Sequence, residues 1–196
     1  MTTPKSITRE DILPFDDYAS TRKERKKALM AVKKDRRMEV GPHASFYFEN
    51  YETMWNQIHE MLYIERGGDA QVPDELAAYN PLIPQGSELV ATVMFEIGDP
   101  ARRAKVLSSL GGVEETISIT VDGEKIMGIA ETDVDRTTEG GKASSVQFVH
   151  FAFTGAQVTA FRAADAAVTV GFAHESYAHS AGMSGAIRAA LAQDFE

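Results

Sequence analysis

His174 and His179 flank Glu175 and form the most site-like cluster in the chain. Two imidazoles and a carboxylate are the raw material of a zinc site. Their spacing does not match HExxH, and five residues of separation takes the two rings off a common helical face. No metal site is therefore expected, and the segment reads as a surface loop. His59 and Glu60 set an imidazole beside a carboxylate, the minimum for general acid–base work. Neighbouring positions on a helix point apart, so the pair reads as the polar rim of an amphipathic helix. His150 lies between Val149 and Phe151 and reads as a satisfied core or edge histidine. Glu131, Asp133 and Asp135 share one face of an extended segment and, with Glu139, offer oxygens to a hard cation. The calcium-loop pattern fails at Thr138, where glycine is needed, and a solvated acidic edge is the simpler reading. Gly140-Gly-Lys-Ala-Ser-Ser145 lacks the first glycine of a P-loop and precedes a strand. There is no GxSxG elbow and no GxGxxG turn, so no catalytic residue and no cofactor is assigned.

Charge gives a second kind of candidate. The net charge is −9, yet residues 22–37 hold nine basic residues against Glu24 and Asp35. A basic segment on an acidic body docks an anionic partner or folds back on its own body. Lys26, Lys27, Lys33 and Lys34 are the candidate docking residues. Membrane attachment is not expected, because the segment's apolar residues are few (Leu29, Met30, Val32). The acidic body and the absence of aromatic residues within the cluster argue against nucleic acid. With no cysteine, the chain has no disulfide, no thiol nucleophile and no thiolate metal site of its own. No apolar run reaches the ~18–20 residues of a membrane span. The first residues carry no apolar signal core, so a cytoplasmic location is expected.

The elements that must position these residues are legible in outline. Residues 16–36 hold no Gly or Pro and many Lys, Ala, Leu and Met, which predicts a helix. It forms an N-terminal basic arm over 1–40, with a single α+β domain over 41–196. Gly41-Pro42 breaks the chain, and residues 45–49 read as a strand. Asn50 caps a helix over 51–66, which stops at Gly67-Gly68. Residues 74–79 make a helical turn, and Pro81 and Pro84 predict an extended connection. Strands follow at 89–97, 116–121, 125–130, 146–153 and 166–172, with Asp122-Gly123 as a hairpin turn. Helices capped by Asp99, Thr154 and Ser184 lie between and after them. Residues 89–121 and 146–172 thus each read strand, capped helix, strand. The expected fold is α+β: a split βαβ, ferredoxin-like sheet with an added hairpin and an N-terminal helical region. An antiparallel β-sandwich with helices is the alternative.

Several segments together resemble a bacterial family known as a domain of unknown function. They are Gly41-Pro42 with Phe48-Glu-Asn50, Gln57-Ile-x-Glu-Met61 with Ile64-Glu-Arg66, and Glu75-Leu-x-x-Tyr-Asn-Pro-Leu-Ile-Pro84. Ala91-Thr92, Asp99-Pro-x-x-Arg103 and Lys142-x-Ser144 leading to Phe148 extend the match over about residues 7–195. The chain departs from the family at Ala143, where Thr is usual, and at Glu175, where Pro is usual. The resemblance implies no catalytic residues. Genes of the family often lie beside those for rubrerythrin and for an iron–sulfur reductase, which implies an accessory role in peroxide or redox metabolism. The polar residues of these segments, Gln57, Glu60, Glu65, Tyr79, Asn80, Arg103 and Lys142, form the candidate functional surface. The leading expectation is an accessory protein docking such a redox partner. The alternative is a small-ligand module or enzyme with its site near Gln57, Glu60 and residues 79–84. That segment is expected to cross the 51–66 helix, with Gln57 or Glu60 bonding its backbone.

Overall fold

The computed structural model describes residues 5–131, 136–138 and 140–196. Helix α1 (Phe15–Lys34) leads into the hairpin β1 (Arg37–Val40) and β2 (Ala44–Phe48). Helices α2 (Tyr51–Glu65) and α3 (Val72–Tyr79) follow, then β3 (Glu88–Phe95), α4 (Pro100–Leu107), β4 (Ile117–Val121), β5 (Glu124–Met127) and β6 (Ile129–Ala130). The chain ends with β7 (Val146–Ala152), α5 (Gly155–Arg162), β8 (Val168–His174), β9 (Tyr177–Gly182) and α6 (Gly185–Leu191).

The α+β class is as expected, and the arrangement is that of the alternative, two antiparallel sheets with helices, rather than one split βαβ sheet. One sheet runs β1-β2-β3-β7-β6 and the other β5-β4-β8-β9. The two strand–helix–strand units are present, but each straddles the sheets. Their first strands, β3 and β7, pair with each other, and so do their second strands, β4 and β8. The cause lies in the strand faces. Leu89, Ala91, Val93 and Phe95 of β3 enter the inter-sheet core, while Val90 enters a second core under the helices. Phe148 of β7 packs against that second core and Val149 and Phe151 lie in the first. By contrast β4 sends Ile117, Ile119 and Val121 inward and leaves Ser118 and Thr120 on its other face. Strands apolar on both faces must be covered twice, and strands with a polar face only once. The result is three layers, helices α1–α3 over the five-stranded sheet over the four-stranded sheet.

Two glycines allow close approaches that fix this arrangement. The strand expected over 125–130 divides at Gly128, so that β5 joins one sheet and β6 the other. A Cβ there would lie 2.4 Å from Val149 Cγ1. Gly41 turns the β1–β2 hairpin at φ +69°, and a Cβ would meet the His179 ring at 2.6 Å. Tyr177 Oη accepts from the amides of His43 and Ala44, both at 3.0 Å, and donates to Val40 O at 2.8 Å. One side chain thus ties that turn to the β8–β9 hairpin. The sequence pattern predicts neither β1 nor β9. The basic run also contains a residue that is not solvated. Arg36 is buried, donates to the carbonyls of Phe48 and Glu49 at 3.0 Å each, and pairs with Asp194.

The 79–84 segment lies across α2, with Leu82, Ile83 and Tyr79 against Met54 and Ile58. It is a 3₁₀ turn over Asn80–Leu82, not an extended run, and Asn80 keeps helical angles before Pro81. Asn80 is held there by its side chain. Its Oδ1 accepts from Ile7 N at 2.7 Å, and its Nδ2 donates to Ile7 O at 2.9 Å. The bond expected from Gln57 or Glu60 to this backbone is not made. Gln57 Nε2 meets only Tyr79 Oη at 3.5 Å and Met61 Sδ at 3.4 Å. Asn80→Ala should therefore lower stability by about 1–3 kcal/mol in chemical denaturation, because it strips two backbone groups of a buried residue. Gln57→Ala should cost less than about 1 kcal/mol. An Asn80→Ala chain as stable as the parent would contradict this assignment.

Candidate functional site

Helix α2 is started by Asn50, whose Oδ1 accepts from Thr53 N while Thr53 Oγ1 accepts from Asn50 N, both at 2.9 Å. It presents one side to Val72, Leu82 and Val90 and another to α1. Attachment of α1 is mostly polar, because only Tyr18 and Leu29 of its twenty residues are buried. Glu60 does most of the work. Its carboxylate accepts from Tyr18 Oη at 2.8 Å, from Arg22 Nε and Nη2 at 2.8 Å each, and from Lys26 Nζ at 2.9 Å. The Arg22 pairing, then Lys26 and Tyr18, pull the Glu60 pKa down to about 2 against the opposing effect of burial. Burial, with Glu60 beside it, pushes the Tyr18 hydroxyl up.

His59, the neighbour of Glu60, is structural. Its Nδ1 donates to Trp55 O at 2.8 Å and its Nε2 accepts from Leu13 N at 3.0 Å. Both nitrogens are spent, the ring lies between Tyr18 and Trp55, and burial lowers its pKa. His59 and Glu60 thus fasten the chain before α1 and α1 itself to one helix.

Folded back in this way, α1 turns its other face outward. Met30 is 72% exposed. Its neighbours at three and four residues on either side are Lys27, Lys33, Lys26 and Lys34, all exposed. No ion pair among the described residues engages Lys27, Lys33 or Lys34, whereas Lys26 belongs to Glu60. Arg22 and Arg25 turn inward instead, over the rings of Tyr63 at 4.4 Å and Trp55 at 4.8 Å.

A cavity of about 620 Å3 opens where α1 begins, against the last turn of α2. Its walls are Ile12, Leu13, Leu62 and Val72 with the Phe15–Tyr63 ring pair, stacked at 5.3 Å and 7°. The candidates at Gln57, Tyr79 and Asn80 are outside it. Nothing in the sequence pattern marked this cavity, because its walls come from three separate segments.

The remaining candidates lie elsewhere. Glu65 Oε2 accepts from Gln71 Nε2 at 2.8 Å, and Gln71 also bonds Glu75 and the amide of Gly67, which shapes the α2–α3 connection. Arg103 and Lys142 meet in a shallow cleft of about 370 Å3 with Arg136 and Thr138. Arg103 Nη1 reaches Ile97 O at 3.3 Å, and Arg136 lies over the Phe148 ring. His150 is held between Glu88 at 2.9 Å and Glu131 at 3.4 Å, and the Glu88 bond raises its pKa. Asp133, Asp135 and Glu139 lie outside the described residues. His174 and His179 are in the β8–β9 hairpin, not a loop. His174 Nε2 donates to Gly111 O at 3.1 Å and its Nδ1 accepts from Ser176 N, while His179 packs edge-on against Tyr177.

A three-layer α+β protein with a basic helix latched to its helical layer is the class that fold and site define. The chain belongs to the DUF3501 family of proteins of unknown function, whose model matches residues 6–195. It is similar to a solved protein of unknown function from Burkholderia pseudomallei, at 34% identity and a TM-score of 0.90. That match covers 97% of this chain and 100% of the other. Among curated proteins, none matches. No helix among the described residues is long and apolar enough to cross a membrane.

The Glu60 cluster has a definite pH signature. Its folded pKa is depressed, so its contribution to stability is complete above the ordinary carboxylate range and is lost as pH falls from about 5 toward 2. Glu60→Gln should lower stability at pH 7 by about 1.5–3 kcal/mol. The gap between variant and parent in denaturant melts should narrow steadily toward acid. A gap independent of pH would show that the carboxylate charge is not what holds α1.

Proposed function

We infer that the chain is an accessory protein of the cytoplasm that docks an acidic protein partner on the outer face of α1. One observation carries this reading: an exposed methionine with lysines at three and four residues to either side. An apolar knob in a cationic ring fits an acidic surface with an apolar hollow. Lysines at a rim speed association and fix orientation more than they add affinity. The latch to Glu60 presents the ring preformed, which reduces the ordering cost of binding. The partner classes implied by the family resemblance are a rubrerythrin-like protein and an iron–sulfur reductase. The alternative, a ligand or catalytic site at Gln57, Glu60 and residues 79–84, has less support. Glu60 is spent on α1 and Asn80 on Ile7.

Lys26 should be kept in any test, since reversing it would set a second carboxylate against Glu60 and release the helix. The combined Lys27→Glu, Lys33→Glu, Lys34→Glu variant, measured by biolayer interferometry against the two purified host proteins, should bind its partner at least roughly tenfold more weakly at low salt. Most of the loss should fall on the association rate, and the salt dependence should flatten. Equal binding by variant and parent, or no binding of either host protein by the parent, would contradict the reading.

A further inference from the structure

We propose that the cavity between the start of α1 and the end of α2 is a binding site for a medium-chain aliphatic carboxylate, with Arg66 at its mouth receiving the carboxylate. This goes beyond docking through α1 and uses a different surface.

The size and chemistry of the walls come first. About 620 Å3 falls within the ~300–1,000 Å3 range of small-molecule sites. Ile12, Leu13, Leu62 and Val72 give the wall an aliphatic part, beside aromatic rings and a charged rim. Four aromatic rings line the cavity, and each is engaged by a neighbour, Tyr18 and His59 packing on each other at 4.8 Å. Phe15 and Tyr63 stack on each other, Arg22 covers the far side of Tyr63, and Arg66 stands 5.8 Å over Phe15. A flat aromatic guest has no free ring face to stack on, whereas an alkyl chain needs only apolar walls and ring edges. The polar atoms deep in the wall are also occupied, with His59 bonded to Leu13 and Tyr18 to Glu60. Nothing inside asks for a polar tail.

The mouth supplies the charge. Arg9 and Arg66 both border the cavity. Arg9 pairs with Asp69 at 2.7 Å, and Asp69 also borders the cavity, so the rim carries two guanidinium groups and one carboxylate. No carboxylate among the described residues pairs with Arg66. Its backbone is also unusual: Arg66 caps α2 in the left-handed region at φ 58°, a region Gly68 enters two residues later at φ 65°. A non-glycine residue in that region carries a backbone cost that the surrounding structure must offset. Arg66 thus stands at the rim of the cavity with no carboxylate partner among the described residues, and a guanidinium binds a carboxylate through two parallel N–H donors. An amphipathic monoanion satisfies both features at once.

Isothermal titration of the full chain with dodecanoate, kept below its micellar concentration, tests this. One saturable site per chain is expected. Arg66→Gln should weaken it at least roughly tenfold, while leaving binding of uncharged 1-dodecanol unchanged. Leu62→Trp, which fills the cavity from a partly exposed position, should abolish binding of both probes. Far-UV circular dichroism and thermal melting confirm that each variant is folded. Absence of saturable dodecanoate binding to the parent would overturn the proposal. So would binding that survives Leu62→Trp in a folded protein, or an Arg66→Gln variant that keeps full affinity. The Lys27, Lys33 and Lys34 variant should bind dodecanoate like the parent, so the two surfaces stand or fall separately.

Discussion

One carboxylate shared by Tyr18, Arg22 and Lys26 holds the basic helix of this protein in place. Helix α1 offers the core almost nothing apolar, since Tyr18 and Leu29 are its only buried residues. A helix so polar gains little from burial, and packing is what usually stabilises helices in proteins. Glu60 supplies the missing attachment by taking up Tyr18, Arg22 and Lys26 together. Its location decides which cations face inward and which stay exposed. It also reaches the cavity. Arg22, clamped by Glu60, covers Tyr63, which stacks on Phe15, which lies under Arg66. A column of two cations and two rings therefore joins the latch to the cavity mouth.

The scaffold beneath can hold this face still because its inner sheet is covered on both sides. Val90 and Phe148 feed the helical layer while Ala91 and Val149, one residue further along, feed the inter-sheet core. Helix α2 packs into the helical layer through Met54 and Ile58 and carries His59 and Glu60 on the side that meets α1 and the chain before it. Asn80 and His59 then fasten the segment before α1 at Ile7 and Leu13. These long-range hydrogen bonds deliver α1 to Glu60 with its course already set.

Much of the local structure was legible in the residues. Asn50, Asp99 and Thr154 cap the helices they were expected to cap, and Asp122-Gly123 makes its hairpin with both residues at positive φ. The division into two sheets was harder to see, although its signal existed. The doubly apolar β7 belongs to the twice-covered sheet, and the one-sided pattern at Ser118 and Thr120 marks the outer one. Strand β9 was hidden because its small and polar residues, Ala178 to Gly182, carry almost no hydrophobic pattern. Met30 amid its lysines could be read from helical spacing alone. The cavity could not, since its walls are distant in sequence and Arg66 reveals itself only through its backbone angle. Pairing of Glu60 with residues of α1 lies thirty-four to forty-two positions apart, beyond the reach of any local pattern.

Hydrogen exchange along α1, followed by mass spectrometry in the parent and in Glu60→Gln, tests the central claim most directly. A latched α1 should be protected from Tyr18 to Val32 in the parent. Protection there should fall at least roughly tenfold in the variant, while β3 and β7 keep theirs. An α1 that exchanges freely in the parent, or one equally protected without the Glu60 charge, would contradict the account.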